Sequence, residues 1–187
     1  MCIRDRYIDV ETYDALESDL QSNGINKTRY AENTYFKGAT CLNSQGLSQA
    51  KAMGEIIRYT QLPIGLVVSS PSCRARQTAK LAFGGYSYLL RDLVHLGPYK
   101  ESRTNRVKNL LNIYQKIPIN TKTNTIISGH NGTLLPEMFK NKNLSPDDLK
   151  VEEGGFYVIS RDKKTKQLTI EHTFKNFNSY SRQHFYR

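Results

Sequence analysis

The chain has few cysteines and no cluster of metal-binding side chains. Its three cysteines are Cys2, Cys41 and Cys73 among 187 residues, an odd number without the spacing of a metal site. A disulfide framework is therefore not expected, and we predict that these thiols are reduced. Because histidines and carboxylates do not cluster in the sequence either, we expect no bound metal and no cofactor.

Long apolar runs are also lacking. No run approaches the ~20 residues that a membrane-spanning helix needs, so we expect no membrane partner. The N-terminus lacks the charged, apolar and small-residue layout of a secretory signal. A cytoplasmic location is therefore slightly favoured, while the loss of a signal peptide with an earlier segment stays open. Hydrophobic residues still make up 38% of the chain, which suits one domain with a real core.

Positive charge is in excess, at a formal net charge of +10. Such a charge can indicate a nucleic-acid partner. However, the lysines and arginines are scattered, and the sequence has no basic helix stripe, zinc-ligand spacing or aromatic-glycine motif. We therefore favour a solvated basic surface that also attracts anionic substrates, and we expect no nucleic-acid partner.

The sequence divides near residue 40. Residues 1–40 are polar and irregular, with one short helix predicted at 14–20, and residues 1–6 resemble a sequence artefact. From 41 to 187 the periodicity predicts helices over 47–59, 71–83, 105–115 and 133–139 and strands over 64–68, 124–129, 155–160 and 167–173. Gly54 on the first helix is expected to permit close packing against a sheet. Helices alternating with buried strands predict one domain, a three-layer α/β/α sandwich with a mostly parallel sheet.

Two charged or titratable residues follow predicted buried strands. Arg74 comes after the turn Ser69-Ser70-Pro71, where Ser70 is a suitable helix N-cap and Pro71 a first helical residue. His130 ends the strand over 124–129, between Gly129 and Asn131-Gly132. Because ligands of open α/β sheets collect at the carboxyl ends of the strands, both residues are expected at one rim. A planar guanidinium beside a helix N-terminus suits phosphate.

Each of these residues also has a structural interpretation. Arg74 taken alone is typical of a helix-surface arginine in a salt bridge, and His130 taken alone of a structural hydrogen-bonding histidine. Small residues on both sides of His130 favour the functional interpretation, because they allow a ligand to approach the backbone closely. His130 could then stabilise charge that develops on a phosphoryl oxygen.

Three segments together resemble a known family. The segment from Leu42 to Ala50, the segment Ser69-Ser70-Pro71 with Arg74-Ala75 and Gln77-Thr78-Ala79, and the segment Gly129-His130-Asn131 are similar to motifs of the histidine phosphatase superfamily. That superfamily contains the phosphoglycerate mutases and many small phosphatases. The resemblance covers roughly residues 41 to 160 in the correct order, and the middle motif is its most specific part.

The resemblance implies a mechanism without a metal. In the family a histidine attacks the phosphoryl group, and water hydrolyses the resulting phosphohistidine. The resemblance makes Arg74 the second phosphate-holding arginine and His130 the second histidine, and Asn131 beside it a phosphate-binding residue. Glu101 stands where the family often places the acid that protonates the leaving group.

The roles of three other residues near these motifs stay open. Asp92 is a second candidate for the acid, and His95 a weaker one. Cys73 adjoins Arg74, but no Cys-x5-Arg loop surrounds it, so a small packing residue is favoured over a thiol nucleophile.

The family's first motif, an arginine-histidine pair that supplies the nucleophile, is not visible. The chain has four histidines, and none precedes His95. We expect that the first strand and its catalytic pair were lost by truncation upstream of Tyr7, rather than by degeneration. The resulting hypothesis is a phosphatase acting on a phosphorylated small molecule or phosphoprotein, of which this chain is an inactive fragment. A catalytically inactive phosphate-binding pseudoenzyme is the alternative, and the oligomeric state stays open.

Overall fold

The structure is a computed structural model that describes residues 42–93, 102–140 and 143–185. Its helices are α1 (Ser44–Tyr59), α2 (Cys73–Phe83), α3 (Arg103–Lys116) and α4 (Phe177–Phe185). Its strands are β1 (Ile64–Ser69), β2 (Tyr88–Leu89), β3 (Asn124–Ser128), β4 (Phe156–Arg161) and β5 (Leu168–Phe174), with short 3-10 helices at Arg91–Leu93 and Pro136–Met138. The irregular segment and short helix predicted within 1–40 lie outside the described residues.

Parallel strands form the centre of the fold. β1 lies between β2 and β3 and is parallel to both. β4 and β5 pair antiparallel as a hairpin, which in the described part of the chain forms a second, two-stranded sheet. The predicted α/β class with a mostly parallel sheet is therefore confirmed, although the described strands form two sheets.

Helices cover both faces of the parallel sheet. Val67 of β1 and Ile126 of β3 pack with Ala79 of α2 on one face. Their neighbours Val68 and Ile127 belong to the core cluster that contains Leu110 of α3 on the other face. Alternate side chains of a strand point to opposite faces, so the apolar runs of β1 and β3 contribute buried side chains to both faces of the sheet. The result is the predicted helix, sheet and helix layering.

Gly54 brings two helices together rather than a helix and a sheet. A Cβ atom at Gly54 would lie 2.7 Å from the Leu81 carbonyl oxygen and 3.2 Å from Ala82 Cα, both on α2. The expectation that Gly54 packs against a sheet was therefore wrong. Its missing side chain allows α1 to lie directly on the backbone of α2.

Other elements also differ from the sequence prediction. α2 begins at Cys73, two residues later than predicted, with Ser72 rather than Ser70 as its N-cap, and it ends at Phe83, before Gly84 in the left-handed region with φ of +81°. The helix predicted over 133–139 is only a 3-10 turn, Pro136–Met138. Pro136 disfavours the helical conformation for Leu135, whose ψ is 141°. The sequence prediction also missed β2 and α4.

Candidate functional site

The turn between β1 and α2 closes onto the end of β3. The Ser70 N–H donates a hydrogen bond to the Ser128 carbonyl at 2.8 Å. The Ser128 hydroxyl in turn donates to the Ala75 carbonyl in the first turn of α2 at 2.9 Å. These bonds fix the N-terminus of α2 against the carboxyl ends of both strands.

Arg74 is the second residue of α2, and its side chain is buried. Only 2% of Arg74 is exposed, so it is not a helix-surface arginine of the kind that the structural interpretation expected. Its guanidinium stays charged in proteins, and the positive end of the helix dipole lies at the same place. The local field therefore favours an anion.

His130 lies against the turn that leads to Arg74. It follows the end of β3 and is 2% exposed. Its Nε2 atom is 3.0 Å from the Ser70 hydroxyl and 3.1 Å from the Ser72 hydroxyl. The structure thus brings the two sequence-predicted residues to one site, because Ser72 is only two positions before Arg74.

The turn after His130 is held by local hydrogen bonds. Thr133 donates to the His130 carbonyl from its backbone N–H at 3.2 Å and from its hydroxyl at 2.7 Å. Gly132 has a φ of +82°, a conformation that favours glycine. This turn fixes the backbone of His130 at the rim of the sheet.

Asn131 makes its side-chain hydrogen bonds to the loop before β4. Its amide group donates to the Val151 carbonyl at 3.1 Å, and its Oδ1 atom accepts from the Val151 N–H at 3.4 Å. The side chain therefore anchors that loop next to His130. Phosphate binding by Asn131 stays a prediction.

The structure describes only one of the three candidate acids. Glu101 and His95 lie outside the described residues. Asp92 lies in the short 3-10 helix, where its backbone carbonyl accepts a hydrogen bond from the Arg106 guanidinium. The role of each as a general acid stays a prediction.

Cys73 is disulfide-bonded, so the prediction of reduced thiols was wrong for this residue. The prediction was based on the odd number of cysteines, which does not prevent one pair from forming. Cys73 is buried at the first position of α2. Cys2 and Cys41 lie outside the described residues.

Ser70 is a site residue that the sequence analysis treated only as a turn and cap residue, and Ser72 is one that it did not single out. Their hydroxyls contact His130 across 60 and 58 positions of sequence. The signal that could have indicated them is the presence of three serines, Ser69, Ser70 and Ser72, just before the buried arginine.

The described residues contain no group of three or more histidine, cysteine or acidic side chains that could hold a metal ion. Within the same residues, no helix combines the length and the apolar character needed to cross a membrane.

A family model matches part of the chain. The family model of the histidine phosphatase superfamily (branch 1) matches residues 27–92, which include Arg74. No curated protein sequence matches the chain.

Solved structures share the fold. The protein histidine phosphatase SixA complexed with tungstate has a TM-score of 0.55 at 16% identity, covering 74% of this chain and 86% of that one. The alpha-ribazole phosphatase from Shigella flexneri has a TM-score of 0.52 at 16% identity, with 74% and 85% covered. YhfR from Bacillus stearothermophilus has a TM-score of 0.51 at 19% identity, with 71% and 83% covered. At these identities the likeness concerns the fold alone, and the family resemblance seen in the sequence is confirmed by the family model.

Proposed function

We propose that this chain is a member of the histidine phosphatase superfamily, whose branch 1 model matches residues 27–92, and that Arg74 and His130 form the phosphoryl-binding part of a phosphatase site. In this proposal the site serves the hydrolysis of phosphomonoesters or phosphoproteins through a phosphohistidine intermediate. The observation that carries this proposal is the contact of His130 Nε2 with the Ser70 and Ser72 hydroxyls. It brings a buried histidine to the helix end that carries a buried arginine.

Each residue has a defined task in this proposal. The Arg74 guanidinium holds two phosphoryl oxygens through parallel charged hydrogen bonds. His130 donates to a further oxygen and stabilises the charge that develops there in the transition state. The covalent intermediate divides one difficult displacement into two easier ones. Glu101 protonates the leaving group, and Asn131 contributes to phosphate binding.

The nucleophile is assigned to a histidine outside the described site. Among residues whose side chains the structure describes, the histidines are His130 and His172. His172 is exposed on β5, with its ring centroid 4.4 Å from that of Phe174. We therefore propose that a histidine outside the described side chains supplies the nucleophile.

The test is hydrolysis of a generic aryl phosphate by the protein, expressed with any coding sequence that its genome carries upstream of Tyr7. Arg74→Ala and His130→Ala are each expected to lower kcat/KM by about 100-fold or more, the scale of losing a transition-state hydrogen-bond donor. Arg58→Ala and His172→Ala are matched controls, because both side chains are exposed. The controls should keep the wild-type rate. Full activity in the Arg74 and His130 variants would show that the site is misplaced.

A phosphate-binding pseudoenzyme is the second candidate, because no second histidine stands beside His130 among the described side chains. The upstream sequence separates the two candidates. A strand that ends in an arginine-histidine pair favours the enzyme, and its absence favours the binder. Robust turnover by the 187-residue chain would contradict the pseudoenzyme.

A further inference from the structure

Ser72 occupies a capping position without capping its helix. At the start of α1 the Asn43 side chain accepts a hydrogen bond from the Gly46 N–H at 2.8 Å. At the start of α3 Ser102 accepts from the Asn105 N–H at 3.3 Å. Ser72, the N-cap of α2, makes no side-chain hydrogen bond to its helix. An N-cap serine normally accepts from the second or third helical N–H, so the Ser72 hydroxyl is directed elsewhere.

That hydroxyl contacts His130 instead. The Ser72 oxygen lies 3.1 Å from Nε2 of His130, and the Ser70 oxygen lies 3.0 Å from the same nitrogen. A ring nitrogen carries either one proton or one lone pair. Two hydroxyls therefore surround a nitrogen that can make one good hydrogen bond at a time.

Burial distinguishes the two hydroxyls. Ser70 is fully buried at 0% exposure, and its oxygen also accepts from the Ser72 N–H at 3.3 Å. Ser72 is partly exposed. Ser72 is thus the hydroxyl that an incoming ligand can reach, at the helix end that carries Arg74.

We propose that Ser72 is a further phosphoryl-binding residue, which rests on the proposed function of Arg74 and His130. Without a ligand, the Ser72 hydroxyl is paired with His130. When a phosphoryl group binds, the hydroxyl donates to one of its oxygens and leaves Nε2 free for another. The Ser72 hydroxyl keeps a hydrogen-bond partner in this exchange, and a hydrogen bond to a charged oxygen is stronger than the one it replaces.

The test is calorimetric titration of the full chain with inorganic phosphate. Ser72→Ala is expected to weaken phosphate affinity about 10-fold, the scale of one hydrogen bond to a charged group. Ser72→Thr, which keeps a hydroxyl, should restore most of the affinity. Because Ser72 does not cap α2, its removal should leave Tm nearly unchanged.

Asn43→Ala is the matched control for capping. It removes a cap that is made, so Tm should fall by about 2–4 °C while phosphate affinity stays at the wild-type value. A Ser72→Ala protein that binds phosphate as tightly as wild type overturns the inference. If Arg74→Ala still abolishes binding in that experiment, the proposed function stands without Ser72. If the wild-type chain does not bind phosphate at all, both fail.

Discussion

At the scale of single residues, buried serines hold the site together. Ser69, Ser70 and Ser128 are all 0% exposed, and each uses its hydroxyl in a hydrogen bond. Ser128 is the link between β3 and α2, because its hydroxyl donates to the Ala75 carbonyl. The distance between the strand that positions His130 and the helix that carries Arg74 therefore depends on this bond.

Ser128→Ala should lower the free energy of unfolding by about 1 kcal/mol, the usual net value of one such hydrogen bond. Ser48→Ala is the matched control, since its hydroxyl bonds to the Ser44 carbonyl on the exposed side of α1. Urea denaturation of both variants measures the difference. Equal stability of the two would contradict a linking role for Ser128.

The positions of Arg74 and His130 could be predicted because they depend on local patterns. Each follows an apolar run that ends in a turn, and the ends of parallel strands meet at one rim. The contact of His130 with Ser72 could not be predicted, because it joins side chains 58 positions apart. The disulfide of Cys73 likewise depends on which residues the fold brings together.

At the scale of secondary-structure elements, two helices were predicted wrongly from the sequence, and their local contacts explain why. α4 was missed because its identity depends on contacts of Tyr180 with the rings of Phe156 and Phe174, at centroid distances of 5.0 and 5.2 Å. Conversely, residues 133–139 have apolar helical spacing, but Pro136 stops a regular helix there. The helices over 44–59 and 103–116 were predictable, because their apolar faces are long and regular.

The docking of α4 should be sensitive to alkaline pH. Burial raises the pKa of Tyr180 above its usual value of 10.0, against a smaller lowering by the hydrogen bond with Thr60. The neutral phenol is thus favoured in the folded state. Its contribution to stability is complete below pH 10.0 and is lost as the pH rises towards the folded-state pKa.

Tyr180→Phe keeps the aromatic packing and removes the ionisable hydroxyl. Its free energy of unfolding should therefore decrease less between about pH 9 and pH 11 than that of the wild type. Tyr59→Phe is the control, because Tyr59 is 75% exposed. Parallel pH profiles for wild type and Tyr180→Phe would refute a buried, titrating Tyr180.

The crossing of α1 over α2 should not tolerate a methyl group at Gly54. Alanine is about 1 kcal/mol better than glycine inside a helix, but its Cβ would lie 2.7 Å from a carbonyl oxygen of α2. Because backbone cannot move aside like a flexible side chain, Gly54→Ala should destabilise the protein, by about 1–3 kcal/mol. Lys51 is exposed on the same helix, and Lys51→Ala is therefore the control in thermal unfolding. A more stable Gly54→Ala protein would contradict this close approach.

At the scale of the whole molecule, the proposed phosphoryl site lies on a basic protein. The net charge is +10, and the arginine and helix end of the site add a local positive field. A general positive potential attracts small anions and is weakened by salt. The composition could predict this attraction but not its location, which depends on where the strand ends meet.

Phosphate affinity should therefore decrease as ionic strength rises from about 0.05 to 0.5 M, because salt screens the surface charge. Arg74→Ala should remove the affinity at every salt concentration. Duplex DNA of random sequence serves as the comparison, and we expect no tight binding near 0.15 M salt. Strong DNA binding with a steep salt dependence would favour the nucleic-acid interpretation instead.

The most direct test of the central claim is the nitrogen NMR spectrum of the His130 imidazole during titration with inorganic phosphate. If Arg74 and His130 bind one phosphoryl group, the Nε2 signal of His130 should shift saturably in the wild-type chain and stay constant in Arg74→Ala. The exposed His172 provides the internal control and should show no saturable shift. A His130 signal that does not shift when phosphate is added, or that shifts equally in Arg74→Ala, would contradict the account.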